Sequence, residues 1–336
     1  MADPIRMALI GAGFIGGVHA AALVADPEVD FAVVYDIDDS RASQLGERHG
    51  ALGTTEVEVA FDPERVDAVL IASSTDTHAA HLRRAADAGL AVLLEKPIDL
   101  DLSRAIDAAR HAQAAGVTAM VDFNRRFDVA YAELTAAVAA GGVGDVELVQ
   151  LTSRGPSMPP LEYIAVSGGQ MRDQAVHFFD LARWITRQDP VAVHAMGSAL
   201  ADPRITAHGD VDTSITSLRL PSGALVQIDC ARRTGYGYDE KIEVHGSTGM
   251  IEARRQRVGA VARYGPGAVT EPGLYPGWFE RVQPTYAAAI GHFVRSLQAG
   301  VPIQPSLADG LAAQAIAEAA TASLASGRTE LIDYPA

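Results

Sequence analysis

Residues 6–36, RMALIGAGFIGGVHAAALVADPEVDFAVVYD, decide the architecture of the chain. Arg6–Gly11 is an apolar run of buried-strand length, Ile15–Ala25 carries a helical pattern, and Phe31–Asp36 is a second strand-like run. Gly11, Gly13 and Gly16 sit where the first strand hands over to the helix. In that place the first glycine permits a tight turn, the second lets a pyrophosphate approach the backbone, and the third lets helix and strand pack closely. The helix N-terminus then presents N–H groups and positive dipole to phosphate. Asp36 ends the next strand 20 residues after Gly16. A carboxylate there accepts both ribose hydroxyls and repels a 2′-phosphate, which favours NAD over NADP. The plain alternative is a set of turn glycines with an exposed strand end. The shared register of strand, glycines, helix and acid speaks against it.

Outward from this stretch the alternation continues. A helix is expected over Asp39–His49, then strands at Val66–Ala72, Ala91–Leu94 and Thr118–Asp122, with helices at Thr77–Ala88 and Leu102–Ala115 between them. Strands alternating with helices imply a doubly wound parallel sheet, a Rossmann domain over residues 1–123. Beyond Phe123 the grammar changes. After helices near Val129–Ala140 and Gln170–Arg187, strand candidates follow one another directly: Val146–Arg154 precedes the second helix, and Val191–Leu200, Ser214–Leu220, Ala224–Cys230, Tyr238–His245, Met250–Ala253 and Gly259–Tyr264 come after it. Pro221-Ser222-Gly223 and Gly246-Ser247-Thr248-Gly249 supply hairpin turns. The second domain, 124–336, is therefore expected to be α+β with a large open, mainly antiparallel sheet, closed by helices at Thr285–Ala299 and Pro305–Leu324.

Composition narrows the functions available. The 336 residues are 48% hydrophobic and 21% charged, a globular balance, with 42 acidic and 27 basic side chains giving a net charge of −15. Such a surface repels phosphate backbones, and no Lys/Arg run makes a local exception, so nucleic acid is not an expected partner. Cys230 is the single cysteine, which excludes an intrachain disulfide and fits a reducing cytoplasm. Met7–Val24 is apolar enough to suggest a secretory signal, yet four glycines within it suit a phosphate loop better than a membrane-inserting helix. The expectation is a cytoplasmic protein without membrane spans.

Candidate chemistry falls in a few places. Ser73, Ser74 and Thr75 follow a strand at the carboxyl edge where ligands bind in open sheets, although an ordinary polar loop reads the same way. Glu95 and Lys96 end a buried strand just before Pro97. Beside a nicotinamide, Lys96 can hydrogen-bond a substrate hydroxyl, stabilise developing alkoxide or assist proton transfer; a structural Glu/Lys pair has the same spacing. In Gly168-Gly169-Gln170-Met171-Arg172-Asp173-Gln174-Ala175-Val176-His177, Asp173 and His177 share a helix face, with Ala175, Phe178, Ala182 and Ile185 on the opposite side. Oxidising a secondary alcohol needs a base for the hydroxyl proton as hydride leaves the carbon, and histidine is the side chain most often tuned for it. A structural His with a nearby acid remains the competing reading. No third ligand stands nearby and no HExxH occurs, so no metal site is expected. Arg125 and Arg126 fit either a cleft contact or a solvated basic pair. Tyr236 and Tyr238, around Gly237, fit either sugar binding or cover for the sheet.

These pieces, in this order, resemble the Gfo/Idh/MocA family of glucose–fructose oxidoreductases and inositol dehydrogenases. The likeness runs nearly the whole chain, through ALIGAGFIG, VDAVLIASSTDTH, AGLAVLLEKP, NRRFD, EYIAVSGGQMRDQAVHFFDLARW and GYGYDEKIEVHGSTG. The EKP and GG-x3-D-x3-H motifs, about 75 residues apart, are specific to the family in combination. The later segments look most like bacterial inositol 2-dehydrogenases. Arg172 and Gln174 stand where apolar neighbours of the aspartate are usual, and Phe178 where an acid often follows the histidine. The resemblance implies NAD-dependent, reversible oxidation of a secondary hydroxyl of a cyclitol, with His177 as general acid/base, Asp173 as its neighbour and a substrate ligand, and Lys96 positioning substrate. Arg126 and Tyr236 would be further substrate contacts. Gly11, Ala12, Gly13, Phe14, Ile15, Gly16 and Asp36 would form the dinucleotide site, joined by Ser73, Ser74, Thr75, His78, Glu95 and Lys96. A pyranose or amino-sugar dehydrogenase or reductase keeps the same chemistry on another substrate, and a non-catalytic NAD sensor would not need Lys96 or His177. The family habit of packing the second domain's open sheet against another subunit implies a homo-oligomer, a tetramer or dimer.

Overall fold

Strands that are apolar on both faces must be covered on both, and Met7–Ile10, Ala68–Ile71 and Val92–Leu94 are all buried. In this computed structural model, which describes residues 3–335, they lie side by side. The first sheet contains β1 (Ile5–Ile10), β2 (Val29–Tyr35), β3 (Leu52–Thr54), β4 (Ala68–Ile71), β5 (Ala91–Leu94) and β6 (Ala119–Val121). They run in the order β3-β2-β1-β4-β5-β6, every pair parallel. The order reverses between β1 and β4, the switch point at whose carboxyl edge open sheets bind ligands. The connecting helices are α1 (Phe14–Ala25), α2 (Asp39–His49), the single turn α3 (Val57–Ala60), α4 (His78–Asp87) and α5 (Leu102–Ala114).

Asp38 caps α2, accepting from the backbone N–H groups of Ser40 and Arg41, and Asp101 caps α5 through Ser103 and Arg104. The expected strands and helices of this half all form within a few residues of their expected bounds. The short β3 and α3 were not anticipated, because three or four residues are too few for either periodicity to show.

By backbone contacts the chain divides into two compact units. One is the chain through Phe127 plus Gln283–Ala312, and the other is Asp128–Val282 plus Ala313–Tyr334. The division thus lies after Phe127 rather than at the expected residue 123. Residues 283–312, assigned above to the second domain, belong to the first unit. There Ile290, Phe293 and Val294, on the helix α9 (Trp278–Ala299), join Met7, Leu9, Leu70 and Leu93 in one core.

The second unit carries a seven-stranded sheet. Its members are β7 (Val146–Arg154), β8 (Ala192–Ser198), β9 (Thr213–Arg219), β10 (Leu225–Ala231), β11 (Asp239–Gly246), β12 (Gly249–Ala253) and a last strand, Glu330–Leu331. In space the order is β12-β11-β7-β10-β9-β8 and then the last strand. All pairs are antiparallel except β7 with β10, which the chain reaches only after an excursion through helices. Alternate residues such as Ser214, Thr216, Leu218, Val226, Ile228 and Cys230 are buried, so one face is covered. The other face exposes Met196, Ile215 and Leu225. The strand expected at Gly259–Tyr264 appears instead as a small hairpin, Arg263–Gly265 with Ala268–Thr270. Among the described residues no helix is long and apolar enough to cross a membrane.

Helix α6 (Val129–Ala139) is anchored by Asp128, which accepts from the N–H groups of Ala130 and Tyr131 and, at 2.6 Å, from Arg281 Nη1. Both side chains of that ion pair are 5% exposed, and the Arg281 guanidinium lies over the Tyr131 ring. Asp128→Ala removes a cap and strands a buried cation, so it should cost about 3–5 kcal/mol, read as a drop in Cm on urea unfolding. Asp128→Asn keeps an acceptor at the cap and should lose less.

Candidate active site

Gly16 packs so closely on the end of β1 that a Cβ there would lie 2.0 Å from the Gly11 carbonyl oxygen. At Gly13, by contrast, a Cβ would meet nothing within 4 Å. Unlike α2 and α5, α1 has no side-chain cap: Gly13 takes that position, and no acid stands in its first turn. A helix N-terminus without a side-chain cap or acid of its own suits an anionic ligand. Phe14 is exposed there. Ala12 N–H donates to Asp36 Oδ2 at 2.7 Å and Asp38 N–H to Oδ1 at 2.9 Å, which orients the carboxylate against the loop. Open space at Gly13, uncapped donors and an oriented acid at the end of β2 fit a dinucleotide with free ribose hydroxyls.

Along the same sheet edge, Ser73 Oγ and Thr77 Oγ1 are 2.7 Å apart, and Thr77 Oγ1 donates to the Ser74 carbonyl. Ser74 is exposed, while Ser73 and Thr75 are partly so. His78 is buried, with Nδ1 2.9 Å from the Pro97 carbonyl and Nε2 3.0 Å from that of Ser73. His78, expected among the cofactor contacts, is thus placed between the Ser73 loop and the Lys96–Pro97 segment, with each ring nitrogen at hydrogen-bond distance from a backbone carbonyl.

Glu95 and Lys96 follow β5. Glu95 Oε1 lies 2.9 Å from Nε2 of His19, a fully buried residue of α1, and Oε2 accepts the Lys96 backbone N–H at 3.2 Å. Asp122, just after β6 and 1% exposed, lies 3.7 Å from the same His19 nitrogen, and neither of its oxygens has a hydrogen bond. Burial, reinforced by the Glu95 charge, pushes the Asp122 carboxyl up to about 8. None of this trio's geometry was legible in the sequence, where His19 reads as one more position of an apolar helix. Arg125 and Arg126 are buried, so the solvated-pair reading fails. Arg126 Nη2 donates to Asp309 at 3.0 Å, and Arg125 Nη1 to Asn124 Oδ1 at 2.9 Å.

In the second unit, Gly168 and Gly169 both take left-handed φ values, +80° and +86°, which explains the paired glycines. They lead into a π-helical turn, Met171–Ala175, continued by the α-helix Val176–Thr186. Such turns are rare and concentrate at functional sites. Asp173 lies on the turn and His177 in the first turn of the α-helix, both partly exposed, while Ala175, Phe178, Ala182 and Ile185 are buried as expected. Asp173 Oδ1 accepts from Tyr163 OH at 2.7 Å, and Oδ2 lies 3.7 Å from Nη2 of the buried Arg232. Arg232 in turn lies 3.2 Å from Asp210, whose Oδ1 accepts the Gln170 N–H.

Sequence reasoning overlooked Tyr163 and Arg232; only an arginine following the apolar strand β10 hinted at the latter. The unusual neighbours of Asp173 have structural partners. Arg172 Nε donates to Glu318 at 2.6 Å, and Gln174 Nε2 to the carbonyls of Ser153 and Ala231. Tyr236 is half exposed, its OH donating to Asp239 at 2.9 Å and accepting from Arg154, whereas Tyr238 is buried against Glu240.

Residues 5–123 match the oxidoreductase family with the NAD-binding Rossmann fold, and residues 131–252 match the Gfo/Idh/MocA C-terminal domain. The chain belongs to the Gfo/Idh/MocA oxidoreductase family. The inositol 2-dehydrogenase of Rhizobium meliloti is 39% identical over 326 residues, 96% of this chain and 98% of that protein. The myo-inositol 2-dehydrogenase of Thermotoga maritima is 38% identical over 330 residues, 97% and 98% of the two chains. The crystal structure of a myo-inositol dehydrogenase from Corynebacterium glutamicum superposes with a TM-score of 0.93 at 34% identity, covering 99% of this chain and all of that one. As a family member the chain is an oxidoreductase whose Rossmann fold takes NAD.

Two measurements probe this geometry. Gly16→Ala should disrupt the loop, losing both NAD binding and thermal stability, because the obstacle is backbone. Gly13→Ala should leave the melting temperature of the NAD-free protein unchanged yet weaken NAD binding in a fluorescence titration. Asp122 has a separate signature. It keeps a proton up to about pH 8 when folded but only to roughly pH 4 when unfolded, so the folded state binds more protons between those limits. Stability must then fall as pH rises through that window, and Asp122→Asn should flatten the fall in a series of melts from pH 5 to 9.

Proposed function

We propose that this chain oxidises a secondary hydroxyl of a cyclitol, myo-inositol or a related inositol, to the ketone with NAD, and catalyses the reverse reduction. The observation that carries the reading is identity of 38–39% along nearly the entire length to dehydrogenases of inositol. Bound NAD supplies the hydride acceptor. The chain supplies the rest. His177 is assigned to accept the hydroxyl proton as the C–H bond breaks, and to return it in the reductive direction. Asp173, held by Tyr163 and facing the Arg232 cation, is assigned to orient the imidazole or a neighbouring hydroxyl. The Lys96 ammonium is assigned to the reacting oxygen, where positive charge favours the alkoxide-like transition state.

Tyr236, half exposed, is the further substrate contact this reading retains. Arg126, engaged with Asp309, contributes by shaping the segment after β6. We assign cofactor binding and the Lys96 contact to the first unit, and the remaining substrate contacts to the second. The exposed sheet face around Met196, Ile215 and Leu225 is assigned to contact between copies in a homotetramer or dimer. With a single cysteine, we place the enzyme in the cytoplasm.

The test is NADH formation across a panel of inositols, aldoses and amino sugars. Turnover on inositols is expected, and turnover on aldoses alone would reject the cyclitol assignment. His177→Ala should lower kcat by about 10²–10⁴-fold while NAD still binds. Near-normal turnover across pH would remove His177 from the chemistry.

A further inference from the structure

We infer that His19 is a positioning residue for Lys96, acting through the Glu95 carboxylate from beneath the dinucleotide loop. The inference rests on the role given to Lys96 above. One carboxylate joins the two: Oε1 to His19 Nε2 at 2.9 Å, and Oε2 to the Lys96 backbone N–H at 3.2 Å. His19 is itself fully buried, one turn into α1 from Gly16. The ring of Tyr286 meets it edge-on at 5.2 Å between centroids, which fixes the imidazole plane. Lys96 is thus not left on a free strand end. Its backbone is tied to the helix whose N-terminus is offered to the cofactor.

The charges around this link make it directional. The groups facing it are His19 and Tyr286, Glu95 and Lys96 after β5, Asp122 and Arg125 after β6, and His78 at the start of α4. Burial alone would discharge His19 and Glu95, but their mutual hydrogen bond and opposite charge prevail, raising the histidine and lowering the glutamate. Lys96 and His78 add positive charge that favours the Glu95 anion. Asp122 is the group burial keeps protonated. When it ionises, a second carboxylate competes for His19, and the grip on Glu95 and Lys96 changes.

His19, Glu95 and Asp122 offer ligand atoms within 4.8 Å of one another, a set that could also hold a metal ion. The 2.9 Å N···O separation is hydrogen-bond length, whereas two ligand atoms each about 2.1 Å from a tetrahedral zinc stand roughly 3.4 Å apart.

The experiment compares full-length His19→Leu, His19→Gln and Asp122→Asn with the parent enzyme, reading NAD affinity by fluorescence, the kcat–pH profile on inositol, and metal content. His19→Leu should bind NAD within about threefold of the parent, lose about 10- to 100-fold in kcat and shift the pH profile. His19→Gln, which restores a donor toward Glu95, should recover most of that loss. Asp122→Asn should move the alkaline limb without abolishing turnover, and it serves as the readout if His19→Leu does not fold. An unchanged pH profile in both His19→Leu and Asp122→Asn overturns the inference, as does one equivalent of tightly bound metal in the parent enzyme. Lys96→Met separates the two layers. If it turns over normally, the Lys96 assignment falls and the His19 role with it; if it is dead while His19→Leu matches the parent, the His19 role falls alone.

Discussion

The contact on which the rest of the first unit depends is the approach of Gly16 to the Gly11 carbonyl, where a single Cβ would lie 2.0 Å from the oxygen. It sets α1 end-on against β1. Three consequences follow from that seating. The helix N-terminus opens onto the Gly13 side of the loop, with no side chain of its own to quench it. The Ala12 N–H comes within 2.7 Å of Asp36, so the carboxylate proposed for the ribose is held by the loop proposed for the phosphates. One turn further on, His19 is delivered beneath Glu95.

The same economy appears at the carboxyl ends of β4, β5 and β6. Strand ends are where backbone pairing stops and buried polar groups must find other partners. After β4 and β5 they find partners: His78 lies between the Ser73 and Pro97 carbonyls, and Glu95 bridges His19 and the Lys96 N–H, whereas Asp122 after β6 makes no hydrogen bond and is kept protonated by burial. The residues most exposed to chemistry therefore sit on loops braced by ionisable groups rather than by apolar packing. That bracing is sensitive to protonation in a way that a hydrophobic core is not.

In the second unit the constraint is different. Two successive left-handed glycines and a π-helical turn break the regular ladder just where Asp173 lies, leaving its carboxylate to Tyr163 and Arg232. Arg172 and Gln174, odd neighbours for such an acid, are accounted for by Glu318 and by the carbonyls at the ends of β7 and β10. They hold the turn from either side and leave Asp173 and His177, the proposed acid–base pair, partly exposed.

Much of this was legible in the sequence because it is local. The parallel, doubly wound sheet follows from alternating strand and helix patterns, all but the short β3, and the dinucleotide loop from glycine spacing within one strand–turn–helix. The acid–histidine pair shares a face because residues four apart do so on any helix near that pitch. What the sequence could not show depends on partners distant along the chain. His19 and Asp122 are about a hundred residues apart, and their meeting requires β1 and β6 to be placed in one sheet. Arg126 stays open between a cleft contact and a solvated charge until Asp309 is brought to it, and residues 283–312 read as part of the second domain until Ile290 and Phe293 pack beneath β1. Sequence by itself determined the elements, the cofactor loop and the candidate acid and base, because short-range sterics and periodicity encode them. The burial of charge, and with it the partner of every buried ionisable group, was decided only by the tertiary structure, because desolvation and pairing depend on neighbours that the chain's order does not name.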